Sequence, residues 1–279
     1  MPTDLPGELM HAEPAPDISV VVATRDRPAD VLHLLNALRV CNTGAITEVI
    51  LVDDASGRPL ETPRGEWPFR LRLLRNEVRR GAAASRNLAA EAAHGQVLAF
   101  LDDDARPLPD WCGVLCETLT ANRAAITGRV LPFDSGVVSR ARQHRYDTRY
   151  DAHAPYSAVR FFAGGNSAVW TDRFRAAGGF PDLVTASDNG LVERVAEQGG
   201  EVIFVPELRV AHRNSKGARI AFREAWRSGR LAGGSRPVDC WRQFRGAART
   251  QPWAADRPAA GLNTALQAAH SLARALPTR

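Results

Sequence analysis

The stretch Gln96-Val97-Leu98-Ala99-Phe100-Leu101-Asp102-Asp103-Asp104 constrains this chain more than any other. Its run of consecutive apolar residues reads as a strand buried on both faces, the kind found in the middle of a parallel sheet. Three carboxylates follow at once. Like charges this close raise one another's pKa, so the arrangement is costly unless a cation or a shared proton offsets it. A hard divalent ion with oxygen ligands would do so. A solvated acidic turn is the other reading open at this point, with Asp caps for the helix that Pro107, Pro109 and Asp110 open.

A second buried strand, Glu48-Val49-Ile50-Leu51-Val52-Asp53-Asp54, also ends in carboxylates. In an open parallel sheet, ligands sit in the crevice beyond the carboxyl ends of the strands, so both acid groups would line one cleft. The first strand, Ile18 to Thr24, leads through Arg25-Asp26-Arg27-Pro28 into a helix over about 29–40, where Leu32, Leu35 and Leu38 fall at helical spacing. Phe69 to Asn76 alternates like a strand nearer the sheet edge, and Gly81 to Ala93 is an alanine-rich helix with Ser85, Arg86 and Asn87 on its first turns. A helix over about 109–122 and a strand over about 124–131 follow the acid-tipped strand. Strand and helix alternate throughout this first half, the signature of an α/β doubly wound, mostly parallel sheet flanked by helices.

At 279 residues, with 44% hydrophobic and 24% charged residues, the chain is an ordinary globular protein with ample core, so disorder is expected only at its ends. Residues 1–16, rich in proline, read as a flexible tail without the apolar core of a signal peptide. No apolar run approaches transmembrane length, and the expected location is the cytoplasm. Cys41, Cys112, Cys116 and Cys240 have no paired spacing, which argues against a disulfide framework or a structural zinc.

Residues 133–159 read as a polar loop carrying Arg140, Arg142, His144, Arg145 and Arg149, long enough to be functional. Ordered structure resumes around Phe161 to Trp170, where Gly164-Gly165 permits tight turns and close approach of the backbone to a ligand. Thr171 is a candidate cap for a short helix ending at Gly178-Gly179. A further helix spans about 187–198, Glu201 to Val205 is a strand, and His212 lies on the turn after it. Residues 209–249 carry eleven Lys and Arg against Glu224 and Asp239. Arg219, Arg223, Arg227 and Arg230 recur at helical spacing beside the pair Phe222 and Trp226. Such a stripe is a solvated face, a phosphate holder or a point of peripheral contact with an anionic membrane.

Six elements in this order resemble the family 2 glycosyltransferases, inverting enzymes of the GT-A fold. They are the strand Ser19–Thr24, the Val52-Asp53-Asp54-Ala55-Ser56 turn, Asn76 with Gly81 to Asn87, the Leu101–Asp104 acids, Gly164-Gly165-Asn166 and Gly178-Gly179-Phe180. The resemblance implies a GT-A domain over 17–213, with a nucleotide-binding half at 17–132 and an acceptor-binding half at 133–213. A helical basic C-terminal extension at 214–279 follows it. It implies contacts to a nucleoside diphosphate sugar from Thr24, Asp26, Asp53, Asp54, Asp102 and Asp103; by charge, Arg86 or an arginine of 209–230 would add a second positive contact to the diphosphate. Asp104, Asp102 and His212 would hold Mg²⁺ or Mn²⁺, Gly164, Gly165 and Asn166 would meet the acceptor, and Asp188 would be the catalytic base of a single displacement.

The match departs from the family at one place: Ser187-Asp188-Asn189-Gly190 keeps a single acid where the family carries several. Asp188 or Ser187 would also serve as a helix cap there. A hydrogen-bonded structural role is the alternative for His212, and an ordinary turn for Gly164-Gly165-Asn166. A non-catalytic nucleotide-sugar-binding or scaffold relative is the other functional class. A nucleotidyltransferase is disfavoured because no glycine-rich phosphate loop follows the first strand, and a nucleic-acid partner because the cleft is acidic. The acceptor stays open among saccharide, lipid-linked, peptide and natural-product hydroxyls.

Overall fold

The computed structural model describes residues 15–182, 187–215, 217–232 and 236–276. The tail expected over 1–16 falls almost wholly outside them, as do Lys216 and the side chain of Ser187. Strands β1 (Ile18–Thr24), β2 (Ile46–Asp54), β3 (Arg70–Asn76) and β4 (Val97–Asp102) alternate with helices α1 (Pro28–Cys41) and α2 (Ala82–Ala92). They pair in parallel in the order β3-β2-β1-β4. Val97 to Leu101 have no exposed surface, as a central strand of such a sheet requires. The register sets Thr24 opposite Asp53, and Ala23 opposite Asp102, so the acid-bearing ends of β2 and β4 finish level with the end of β1.

The second half continues the same sheet with reversed strands. After β5 (Arg106–Pro107) and α3 (Trp111–Thr118) come β6 (Ala125–Pro132), α4 (Val137–Tyr150), β7 (Ala158–Val159), β8 (Asn166–Trp170), α5 (Thr171–Ala176), α6 (Ser187–Glu197) and β9 (Val202–His212). β8 lies antiparallel between β4 and β6, and β9 runs parallel to β6 on its far side. Phe100, Phe162, Phe174 and Phe180 cluster beneath this junction with ring centroids 5.0–6.1 Å apart.

Three local expectations are corrected. The loop expected over 133–159 contains α4, a helix whose buried residues are only Ser139, Ala141 and Tyr150. Its arginine-rich sequence lacks the apolar stripe that would announce a helix. The strand expected to stop at Val205 runs on to His212, because Pro206, which cannot donate to a ladder, sits in an irregular stretch between the Thr127–Phe204 and Arg129–Arg209 pairs. His212 therefore ends a strand and pairs with Pro132. Neither expected cap caps: Asp110 makes no cap hydrogen bond and pairs with Arg209 at 2.6 Å, and Thr171 is itself helical, its hydroxyl donating to Gly95 O at 2.7 Å.

Three helices close the chain: α7 (Ala218–Leu231), α8 (Pro237–Arg249) and α9 (Arg257–Ala275). The last is longer than the weak, frayed helix expected there, and its Asp256 cap accepts from Ala259 N at 3.1 Å. It packs on α4, where Asn263 donates to Ala141 O at 2.7 Å and Arg140 meets Asp256 at 2.6 Å. Gly229 lets α7 lie on α9, since a Cβ there would overlap the backbone carbonyl of His270.

Candidate active site

The ends of β1, β2, β4 and β9 and the turn before β8 bring most of the expected residues to one rim of the sheet. At its centre the carboxylates of Asp102 and Asp104 converge with the imidazole of His212, one ligand atom from each lying within 4.8 Å of the others. His212 Nε2 is 2.9 Å from Asp104 Oδ1 and 3.9 Å from Asp102 Oδ2. Burial alone would lower the His212 pKa, but the hydrogen bond and charge of Asp104, with Asp102 beyond it, raise it above its ordinary value. A proton on Nδ1 has Asn214 Oδ1 at 3.4 Å to donate to, which turns Nε2 toward the carboxylates. Two carboxylates and an imidazole suit a hard or borderline divalent cation such as Mg²⁺ or Mn²⁺.

The third acid of the triplet faces elsewhere. Asp103 is buried, accepting from Thr24 Oγ1 at 2.8 Å and from Arg27 Nη1 at 2.8 Å. Burial pushes its carboxyl above the ordinary range, Arg27 and Thr24 oppose that, and Asp104 adds to it. Arg27 reaches Asp104 Oδ2 as well, at 3.2 Å, so one guanidinium offsets two of the crowded acids. Arg27 is not among the residues the sequence pattern singles out, although its place just after β1 puts it at the same sheet edge as Thr24.

Asp188, at the start of α6, accepts from the Gly164 backbone N–H and lies 3.5 Å from Arg86 Nη1. The other amine of that guanidinium, Nη2, donates to Asp102 Oδ1 at 2.8 Å. Arg86 therefore ties the cation cluster to Asp188. Burial raises the Asp188 pKa, the Arg86 cation opposes the rise and the Asp102 charge reinforces it. The glycine pair makes this approach possible. A Cβ at Gly164 would sit 2.7–2.9 Å from Arg86 Nη1 and both Asp188 oxygens, and one at Gly165 would collide with the Asp102 carboxylate.

Some expected contacts are used by the chain itself. Asp53, buried, accepts from the N–H groups of Ser56 and Leu60 at 2.9 and 3.0 Å and pairs with Arg75. Asp54 accepts from Arg80 N, Gly81 N and Asn76 Nδ2 at 2.8–2.9 Å. These hydrogen bonds hold both carboxyls below the ordinary range despite burial. Both residues therefore fix the loops that present the cleft. Asn166 is likewise enclosed: its amide donates to Arg129 O and Leu208 O and its oxygen accepts from Trp111 Nε1, so its side chain does not reach an acceptor. Asp26 is accessible, with backbone φ of +56°, and accepts from Gly57 N at 2.8 Å. Beside it, Thr24, Arg27, Leu32, Ser56 and Arg58 line a cleft of about 640 Å³ at the ends of β1 and β2.

Residues 19–177 match the model of the family described as glycosyl transferase family 2. The chain belongs to glycosyltransferase family 2. A relative, the pre-mycofactocin glycosyltransferase of Mycobacterium tuberculosis, is 26% identical over 208 residues, covering 70% of this chain and 42% of its own length. An uncharacterized glycosyltransferase of Haemophilus influenzae is 35% identical over 105 residues, 38% of this chain and 35% of its own length. The family 2 chain thus spans less than half the length of either relative. Among solved structures, the mannosyltransferase PcManGT of Pyrobaculum calidifontis, in complex with GDP-Man and Mn²⁺, superposes with a TM-score of 0.59 at 20% identity. That superposition covers 94% of this chain and 72% of the other. GalNAc-T7 with UDP, GalNAc and Mn²⁺ gives 0.57 at 18% identity, over 72% and 44%. These likenesses establish the GT-A fold that the family resemblance implied.

Proposed function

We propose that this chain is a metal-dependent glycosyltransferase that moves a sugar from a nucleoside diphosphate sugar to an acceptor hydroxyl with inversion. The observation that carries the reading is the convergence of Asp102, Asp104 and His212, coupled through Arg86 to Asp188. The nucleoside would enter the cleft beside Thr24 and Asp26, with its diphosphate directed to the carboxylate cluster. A divalent ion held by Asp102, Asp104 and His212 would supply charge stabilisation for the departing diphosphate. Mn²⁺ and nucleotide or nucleotide sugar in the complexes of the two solved relatives support this choice of ligands.

Asp188 is the general base in this reading. A carboxylate removes the acceptor proton when it lies within hydrogen-bond reach of the attacking oxygen, and a raised pKa suits that role. Arg86 favours the ionised form of Asp188 and aims it, while Gly164 and Gly165 let Arg86, Asp188 and Asp102 pack against the turn. The alternative of a non-catalytic scaffold would leave unexplained why the half-buried Asp188 carboxylate is held beside Asp102 through Arg86.

Thermal shift of the purified protein with UDP, GDP, dTDP and CMP, each with Mn²⁺ or with chelator, tests the donor site. A shift with one nucleotide that needs Mn²⁺ and disappears in Asp104→Ala is expected, since a ligand well above its Kd stabilises the folded state. No shift with any nucleotide would turn the reading to the scaffold.

We also infer a peripheral contact with anionic membranes through 209–249, supported by the exposed Phe222, Trp226 and Trp241 among the arginines of α7 and α8. Co-sedimentation with phosphatidylglycerol vesicles, and its loss in Trp226→Ser/Trp241→Ser, is the corresponding test.

A further inference from the structure

A second cavity, of about 500 Å³, lies between α4, α7 and α9. Arg142, Arg145 and Arg149 line it from consecutive turns of α4, together with Tyr146. Glu224 of α7 is the one acid among its lining residues. Arg145 makes no hydrogen bond or ion pair with the described residues. Arg149 stacks on the Phe161 ring at 5.5 Å, which steadies the guanidinium, and makes no hydrogen bond or ion pair with the described residues. Arg142 donates through Nε to Tyr146 Oη at 3.3 Å and makes no ion pair with the described residues.

Three like charges on one helix face repel one another, as the three acids at the end of β4 do. The acids are offset by Arg27 and His212; of the arginines, Arg142 feels the charges of Glu224 and Asp102, while Arg145 and Arg149 make no ion pair with the described residues. Arg145 shows the cost: surrounding protein and the charges of Arg142 and Arg149 hold its pKa below the ordinary value, although its surface is open to the cavity. An anion would relieve this. Arginine forks match phosphate oxygens bidentately, and the Tyr146 hydroxyl adds another donor.

The cavity is separate from the nucleotide cleft. The two share no lining residue, and Asp102, Asp104, Asp188, Arg86 and His212 are absent from the cavity wall. It does reach the rim of the reaction centre, because Asn214, which lines it, faces His212 Nδ1 with its amide oxygen and donates to Gln143 Oε1 at 2.9 Å.

We propose that the cavity between α4, α7 and α9 is an anion site that binds the phosphate or diphosphate of a ligand other than the nucleotide donor. Resting on the glycosyltransferase reading above, that ligand is a phosphate-bearing acceptor, held by Arg142, Arg145 and Arg149 while its hydroxyl reaches toward Asp188.

The test uses inorganic pyrophosphate in chelator, where the carboxylate cluster cannot recruit it through a metal. Pyrophosphate is expected to raise the melting temperature of the wild-type chain and of Asp104→Ala alike. In Arg145→Gln/Arg149→Gln its affinity should fall at least about tenfold, the size of one charge-assisted hydrogen bond. Ser228→Glu, which adds an anion to the cavity wall from α7, should produce the same loss without touching an arginine. Nucleotide binding with Mn²⁺ should be unchanged in both variants. Pyrophosphate binding that is absent in the wild type, or that survives both variants, overturns the proposal. Loss of Mn²⁺-dependent nucleotide binding in both variants also overturns it, by assigning the arginines to the donor diphosphate. Failure of the donor reading is separately visible, as loss of the Mn²⁺-dependent nucleotide shift in the wild type.

Discussion

The backbone of Gly165 lies so close against the carboxylate of Asp102 that a Cβ on the glycine would overlap the acid's oxygen. That contact sets where Asp102 can point, and Asp102 is one of three groups that could together hold a metal ion. Gly165→Ala adds a methyl group that only a shift of Asp102 or of the turn can accommodate. Overpacking of this kind costs about 1–3 kcal/mol of stability. Displacing a ligand by its support lowers metal affinity by roughly 10–100-fold. Calorimetric titration with Mn²⁺ checks this, and unchanged affinity in a folded variant would mean that the turn yields freely.

Arg27 neutralises Asp103 and Asp104 together. Its removal in Arg27→Ala leaves two buried carboxylates facing each other with less countercharge. The expected cost without metal is about 2 kcal/mol, smaller than for a fully buried pair because Arg27 is partly exposed. A divalent cation restores the missing charge, so the stabilisation by saturating Mn²⁺ should be larger in the variant than in the wild type. Chemical denaturation with and without Mn²⁺ gives both numbers.

How much of this was legible beforehand differs from element to element. The parallel half was, because Val97 to Leu101 and Val49 to Val52 are apolar without interruption and only a strand covered on both faces uses such a run. Asp102, Asp104 and His212 could be grouped because a family resemblance joined residues more than a hundred positions apart. Helix α4 was not legible, since its contacts are made by a few small and aromatic residues among arginines. Nor were the internal roles of Asp53, Asp54 and Asn166, which depend on backbone N–H and C=O groups that sequence pattern does not show. Arg27 was overlooked for a similar reason: its carboxylate partners lie in another strand.

Asp188 has a raised pKa, and a general base works only when deprotonated. The acid limb of the kcat/KM profile should therefore lie above the ordinary range of an aspartate. Arg86 is the contribution that pulls this pKa down, so Arg86→Gln should move the limb to still higher pH as well as lowering the rate. Asp188→Asn should reduce kcat by about 10²–10⁴-fold while nucleotide binding persists. A pH–rate profile that does not move in Arg86→Gln would argue that another group takes the proton.

Glu48 provides a stability test remote from the reaction centre. Its buried carboxylate accepts from Ser19 Oγ and His94 N, each at 2.7 Å, and pairs with Arg72 at 3.3 Å. Burial acts to raise its pKa, but these donors and the Arg72 charge outweigh it and leave the folded value below the ordinary one. A group whose pKa is depressed by folding stabilises the protein above its unfolded pKa, about 4.3 for a glutamate. That contribution is lost as pH falls through the folded value. Glu48→Gln should therefore cost about 1–3 kcal/mol at pH 7, with donors left poorly matched in a buried place. The gap between variant and wild type should narrow as the pH is taken below about 4, because the wild-type carboxyl then becomes neutral as well. Urea denaturation of both chains at several pH values measures the gap directly, and a gap constant across that range would show that packing, not charge, is what Glu48 contributes.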